Sequence, residues 1–216
     1  MTSTTPERIA DAALRRFNRQ GYATTKLTEI AADVGISQGN LTYHFPAKLD
    51  LALHLSERVR VRTEARGAER TRGEIAGDYV EHLLFGLEMT WNYRFLLRDR
   101  GVFDDADAIV PPSPILVADM AELRALVTRI ADAGLFRSDI ELDLDVLTRS
   151  LWILSRYWMD HLREMEERDE IEWSDVERGV EHHFAALLPA LTAAGRRRFA
   201  AALERSAAVR RGDGST

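Results

Sequence analysis

The sequence predicts an all-α chain. Apolar residues recur at spacings of three and four almost throughout, and no stretch shows the alternation of a half-buried strand. Each such run is also bounded by residues that start or stop a helix. With 216 residues, 45% of them hydrophobic and 30% charged, the chain has the make-up of an ordinary globular protein able to bury a core.

Thr5-Pro6-Glu7 gives the first helix an N-cap, a proline at its first position and an acid in its first turn. That helix runs to about Gln20, with Ile9, Ala13, Leu14 and Phe17 on one face, and Gly21 ends it. A second helix, about Leu27 to Val34, buries Leu27, Ile30, Ala31 and Val34 before Gly35 breaks the chain. Ser37 caps a third, Gln38 to about His44, whose Leu41 points inward with Phe45, and Pro46 forbids its continuation. A charged fourth helix extends from Lys48 to about Arg72, and a fifth from about Glu74 to Arg100 with a bend near Asn92. Residues 104–114, with three prolines and three acids, read as a loop. Helices follow over about Ile115–Ala133, Asp143–Glu167 and Ser174–Ala193, and the basic segment from Gly195 reads as a helix fraying into a polar tail at 211–216.

The absence of cysteine excludes disulfides, cysteine zinc sites and thiol nucleophiles. No run approaches the roughly 18 apolar residues of a membrane span, and the amphipathic opening is unlike a signal peptide, so no membrane partner and a cytoplasmic location are expected. No nucleophile elbow, phosphate loop or dinucleotide fingerprint is present, so neither an enzyme nor a cofactor is expected. His161 with Glu164, and Glu181 with His182-His183, lack the second ligand pair a metal site needs; they read as surface or interface histidines, with no metal. The net charge of −6 is unevenly placed, +3 over residues 1–66 and −9 over the remainder, as suits a basic head that meets phosphates and an acidic body that avoids them.

Residues 24–48, TTKLTEIAADVGISQGNLTYHFPAK, carry the most specific signal. Their two helices, joined at Gly35-Ile36-Ser37, form the arrangement that offers a recognition helix to the DNA major groove. The outer face of the third helix carries Gln38, Asn40, Thr42, Tyr43 and His44 around the small Gly39. Gln and Asn pair with adenine, Thr touches a thymine methyl, and Gly39 permits close approach. Lys48, at a helix start, and Lys26 add positive charge suited to phosphates. The alternative is a structural three-helix bundle whose polar residues are solvated.

Ile30-Ala31, Gly35-Ile36-Ser37, Leu41-Thr42-Tyr43-His44-Phe45 and Lys48 resemble the DNA-binding head of the tetracycline-repressor (TetR) family over about residues 8–60. The family usually has an aromatic where Thr42 stands. The resemblance implies phosphate contacts for Thr28, Tyr43 and His44. It also implies a homodimer on a palindromic double-stranded operator, a small-molecule effector in the body, and a fourth helix that swings as a pendulum between body and head.

In the body, residues 145–165 are apolar on more than one face. Leu147, Leu151, Leu154 and Met165, with Val176, Val180, Phe184, Leu187 and Leu191 on the next helix, are candidates for a four-helix dimer interface of the kind the family forms; a helix buried inside a monomer is the alternative. Met89, Trp91, Tyr93, Phe95, Phe103, Met120, Trp152, Tyr157 and Trp158 are candidates for an effector pocket, and ordinary core packing accounts for the same residues. The expected organisation is a helix-turn-helix DNA-binding domain at 1–50, an effector-binding and dimerisation domain at 51–210 and the tail. The expected function is a ligand-responsive regulator, a repressor released by a small hydrophobic or aromatic effector. A helical scaffolding protein and an unrecognised helical enzyme are the alternatives.

Overall fold

The structure is a computed structural model and describes residues 4–69, 73–99, 114–168 and 171–213. The described residues are helical, with one isolated bridge between Phe136 and Leu191 and no strand. They divide into two compact units, Met1–Arg70 with Asn92–Ile115, and Thr71–Trp91 with Leu116–Thr216.

In the first unit α1 (Thr5–Gln20) buries Ile9, Ala10, Ala12, Ala13 and Phe17, the stripe its periodicity dictates. Complete burial of Phe17 alone stabilises by roughly 1.5–3 kcal/mol. α2 (Leu27–Val34) turns Ile30, Ala31 and Val34 inward. Gly21 and Gly35, at φ 95° and 73°, take the positive φ that lets α1 and α2 stop so abruptly. Ser37 caps α3 (Gln38–His44), its hydroxyl accepting the Asn40 N–H at 3.1 Å, and Leu41 is the buried residue of that helix. α4 (Lys48–Glu69) sets Leu51, Ala52 and Leu55 into the core.

Charged side chains brace these helices from outside. Arg16 reaches Asp33 at 2.5 and 2.8 Å, Arg8 donates to the Val34 carbonyl at 2.8 Å, and Arg58 on α4 pairs with Glu7 and, at 2.7 Å, with Asp11 on α1. A short helix, α6 (Phe95–Arg98), completes the unit, with Phe95 fully buried and its ring 5.0 Å from that of Phe17.

The second unit packs most of α5 (Ile75–Asn92) with α7 (Pro114–Asp132), α8 (Leu144–Glu164), α9 (Trp173–Leu187) and α10 (Ala193–Asp213). Tyr79, Leu83 and Leu87 of α5, Leu126 and Ile130 of α7, Leu151 of α8, Val176, Phe184 and Leu187 of α9 and Phe199 of α10 meet in one core. Asp143 caps α8 by accepting the N–H groups of Asp145 and Val146. Asp175 does the same for α9 from within, accepting the Glu172 N–H at 3.0 Å; that bond, with Arg168 at 2.6 Å, holds its carboxyl below the usual range.

Three helix boundaries differ from the sequence expectation. The expected helix from Glu74 to Arg100 stops at Asn92 and restarts at Phe95, because Asn18 serves both broken ends: its Nδ2 donates to the Asn92 carbonyl at 2.7 Å and its Oδ1 accepts the Phe95 N–H at 3.2 Å. The helix expected to reach Ala193 ends at Leu187 and tightens into a 3₁₀ turn, Leu188–Ala190, around Pro189. α10 continues through Asp213, past the start of the expected tail at 211. The expected loop, apart from Pro114, lies outside the described residues, as does Phe103.

Candidate nucleic-acid interface and body cavity

Seven residues are barely two turns of helix, so α3 holds its shape through its cap and Leu41 rather than through its own propensity. Four of its residues face outward: Gln38, Gly39 and Asn40 are exposed, and Tyr43 is 82% exposed, a large aromatic ring with no core of its own. Thr42 is half-buried, with its hydroxyl turned back on the carbonyls of Gln38 and Gly39 at 3.1 and 3.2 Å, which leaves its methyl as the group it can offer. The His44 ring stands edge-on to Tyr43 at 5.2 Å. Lys26 and Thr28, at the start of α2, are exposed.

Lys48, expected to face phosphate, has its ammonium against the turn between α1 and α2. Its ammonium donates to the carbonyls of Tyr22, Ala23 and Thr25 at 2.8, 3.1 and 3.0 Å and lies 4.5 Å from the centre of the Tyr22 ring. A lysine has three N–H donors, and here three carbonyls of the turn between α1 and α2 accept them. Partial burial lowers its pKa.

The second unit contains a cavity of about 50 Å³, room for a few waters, lined by α5, α7, α8 and α9. Leu83, Gly86, Leu87 and Leu123 give it apolar walls. His82, Thr90, Asp119, Trp152, Ser155, Arg156 and His183 bring polar atoms. Asp119 accepts the Trp152 indole N–H at 3.0 Å and lies 3.5 Å from His82 Nε2. Behind it His183 lies between the Tyr79 hydroxyl and the Ser155 hydroxyl, each at 2.7 Å. Burial, with His82 nearby, pushes the His183 pKa down to about 3, so the ring is neutral; burial likewise pushes the Tyr79 hydroxyl up.

Of the aromatic and methionine candidates for this pocket, Trp152 lines it. Tyr93 and Phe95 are buried in the first unit, Met89 is buried and Trp91 packs against the body core. Met120 is half-buried away from the cavity lining, Tyr157 is half exposed, and Trp158 is buried with its N–H on the Asp175 carbonyl at 2.7 Å. Sequence reasoning missed His82, Asp119 and His183, and it read His183 as a surface or interface residue; it is 1% exposed. The available signal was helical spacing, since His82 falls one turn before Gly86 and two before Thr90. Among the described residues no cluster of three metal-ligating side chains occurs.

The dimer candidates are also redistributed. Leu151, Val176, Phe184, Leu187 and Leu191 belong to the core of one chain, and Leu147 and Val180 pack against it. Leu154 is half-buried and Met165 is 73% exposed. The apolar face that α8 shows to solvent is instead Val146, Ile153 and Tyr157, spaced by seven and four residues.

A three-helix head that turns a short polar helix outward is the build of a helix-turn-helix DNA-binding protein. Residues 9–55 match the family described as bacterial regulatory proteins, tetR family, and residues 55–199 match TetR, described as bacterial transcriptional repressor; the chain belongs to the TetR family. The HTH-type transcriptional regulator AcrR of Shigella flexneri is 45% identical over 47 residues, which is 22% of this chain and 22% of that protein. The chain thus matches this curated relative over about a fifth of its length. Among solved structures, a TetR-family transcriptional regulator from Marinobacter aquaeolei VT8 is 22% identical with a TM-score of 0.77, over 94% of this chain and 98% of that one. A transcriptional regulator from Saccharomonospora viridis, in complex with choline, is 19% identical with a TM-score of 0.64, over 82% and 92%. These likenesses establish the fold.

Proposed function

We propose that this chain is a cytoplasmic, homodimeric transcription regulator that binds a palindromic operator in double-stranded DNA through α3 and, acting as a repressor, leaves it when a small molecule occupies the body cavity. The observation that carries the reading is Tyr43, 82% exposed beside the exposed Gln38 and Asn40 on a helix whose inner side is locked. Gln38 and Asn40 read base edges, the Thr42 methyl meets a thymine, and Tyr43, His44, Thr28 and Lys26 touch backbone. Lys48 acts indirectly, by holding the turn that aims α2.

One such head reads few base pairs. Two heads on half-sites about 34 Å apart reach useful specificity, and Val146, Ile153 and Tyr157 supply an apolar face for the dimer. The cavity, small as it stands, must dilate around an effector; its leucines and Trp152 suit an apolar body, and Asp119 and Ser155 a polar end. Its polar groups serve here to bind and report, not to catalyse.

The test is fluorescence anisotropy on the DNA flanking the protein's own gene. Asn40→Ala and Tyr43→Ala each weaken specific binding by about 1–3 kcal/mol while leaving the melting temperature almost unchanged, since both side chains are exposed. Binding indifferent to both substitutions, or no specific binding at moderate salt, would sink the proposal.

A further inference from the structure

We infer that the body cavity takes a small neutral molecule carrying a carbonyl oxygen, and that Ser155 donates the hydrogen bond to that oxygen, with Tyr79 and His183 as positioning residues that leave the Ser155 proton available. This rests on the reading of the cavity as an effector site and gives the effector a chemical class. All the residues concerned lie in the second unit, on α5, α7, α8 and α9.

Tyr79, His183 and Ser155 form a chain from the core to the cavity wall. Tyr79 is fully buried, and among the described residues its hydroxyl meets only His183 Nε2, at 2.7 Å. Ser155 Oγ lies 2.7 Å from His183 Nδ1, on the other side of the ring. A neutral imidazole has one N–H and one acceptor nitrogen, so two arrangements exist. With the proton on Nε2 the phenol accepts, and its own proton is buried without an acceptor, which disfavours that arrangement by a factor of about ten or more. With the proton on Nδ1, Tyr79 donates to Nε2 and the Nδ1–H points toward Ser155; the backbone of Leu151, one turn before Ser155 on α8, also accepts from the ring. Ser155 then accepts from His183 and keeps its own proton to give.

The helix does not take that proton back. Thr148 and Ser150 on α8 turn their hydroxyls onto the carbonyl four residues earlier, at 2.7 and 2.9 Å, whereas Ser155 makes no such bond among the described residues. Its hydroxyl lines the cavity together with the apolar walls of Leu83, Leu87 and Leu123. The charges in the wall disfavour ions of either sign. Asp119, which accepts the Trp152 N–H at 3.0 Å and lies 3.5 Å from His82 Nε2, repels an anion in a space of about 50 Å³, and the Arg156 guanidinium repels a cation. A neutral acceptor oxygen on an apolar body satisfies both the walls and the Ser155 O–H.

Probes of one shape and different chemistry test this on the full-length chain in the absence of DNA. The Trp152 indole N–H, in the cavity wall, is followed by NMR as cyclohexanone, methylenecyclohexane, cyclohexanecarboxylate or cyclohexylammonium is added. Cyclohexanone is expected to bind at least about fivefold more tightly than either ion. Ser155→Ala is expected to weaken cyclohexanone by about fivefold and to leave methylenecyclohexane, which has the same shape and no oxygen, unchanged. Tyr79→Phe, which releases the ring to the other tautomer, is expected to weaken cyclohexanone alone, whereas a merely structural role would weaken both. Ring nitrogen chemical shifts are expected to show His183 protonated at Nδ1. A ring protonated at Nε2 overturns the inference, as does cyclohexanone binding that is absent or indifferent to Ser155→Ala, or tighter binding of either ion. Ser155-dependent cyclohexanone binding in a chain with no specific DNA binding keeps this site and overturns the regulator reading. Specific DNA binding in a chain that fails these tests keeps the regulator and overturns the ligand class.

Discussion

A lysine ammonium has three protons to donate, and at Lys48 all three are engaged by carbonyls of one turn. Lys48→Met leaves three acceptors without their partner, and a loss of about 1–3 kcal/mol is expected. A thermal melt should show it as a fall of several degrees, whereas a lysine that only touched phosphate would leave the melt unchanged and flatten the salt dependence of DNA binding. His183 makes the second residue-level case. Unfolded, a histidine titrates near 6.5; folded, this one stays neutral down to about 3. Between those values the unfolded chain takes up a proton that the folded chain refuses. The stabilisation is therefore complete above pH 6.5 and is lost as pH falls toward 3, by up to about 1.4 kcal/mol per unit. Urea unfolding at pH 7.5 and 5.5 should show a smaller pH effect in His183→Gln than in the wild type; equal pH effects would count against a neutral buried ring. The sequence made Lys48 visible as a charge but not its occupation, because the carbonyls that claim it lie 23 to 26 positions earlier in the chain.

The helices of the head were almost fully legible. Pro6, Gly21, Gly35 and Ser37 act within a few residues of themselves, so these starts and stops follow from local chemistry, although the cap expected at Thr5 falls on Thr4 and makes no side-chain bond. The break at Asn92 was less so, since the groups that stabilise it belong to Asn18, 74 residues away. The same distance effect governs α8 and α9. A Cβ at Gly179 would stand 2.6 Å from Trp158 Cδ1, so the glycine is set by a ring on the preceding helix. Gly179→Ala, mild in an isolated helix, is expected to cost about 1–3 kcal/mol here, measured by denaturant unfolding; a variant as stable as the wild type would show that Trp158 gives way. Periodicity gave α8 two apolar faces without saying which one the chain covers for itself. Packing answered: Leu151 and Leu162 lie inside, and Val146, Ile153 and Tyr157 are left at the surface.

For the whole molecule that remaining face carries a prediction about association. If two copies close over it, the melting temperature rises with protein concentration, and Ile153→Glu both removes that rise and gives a monomer in sedimentation. A wild-type monomer at micromolar concentration would refute the dimer. By itself the sequence determined the all-α class, the helix-turn-helix and the outward polar set on α3, because caps, turns and helical periodicity act over distances of a few residues. Only the tertiary structure decided that His82, Asp119, Trp152 and His183 meet in one cavity, that Leu151, Leu187 and Leu191 are core, and that Arg98 and Asp99 hold the turn before α2. Those facts depend on which faces of distant helices come together, and residue spacing along one helix carries no record of its neighbour's.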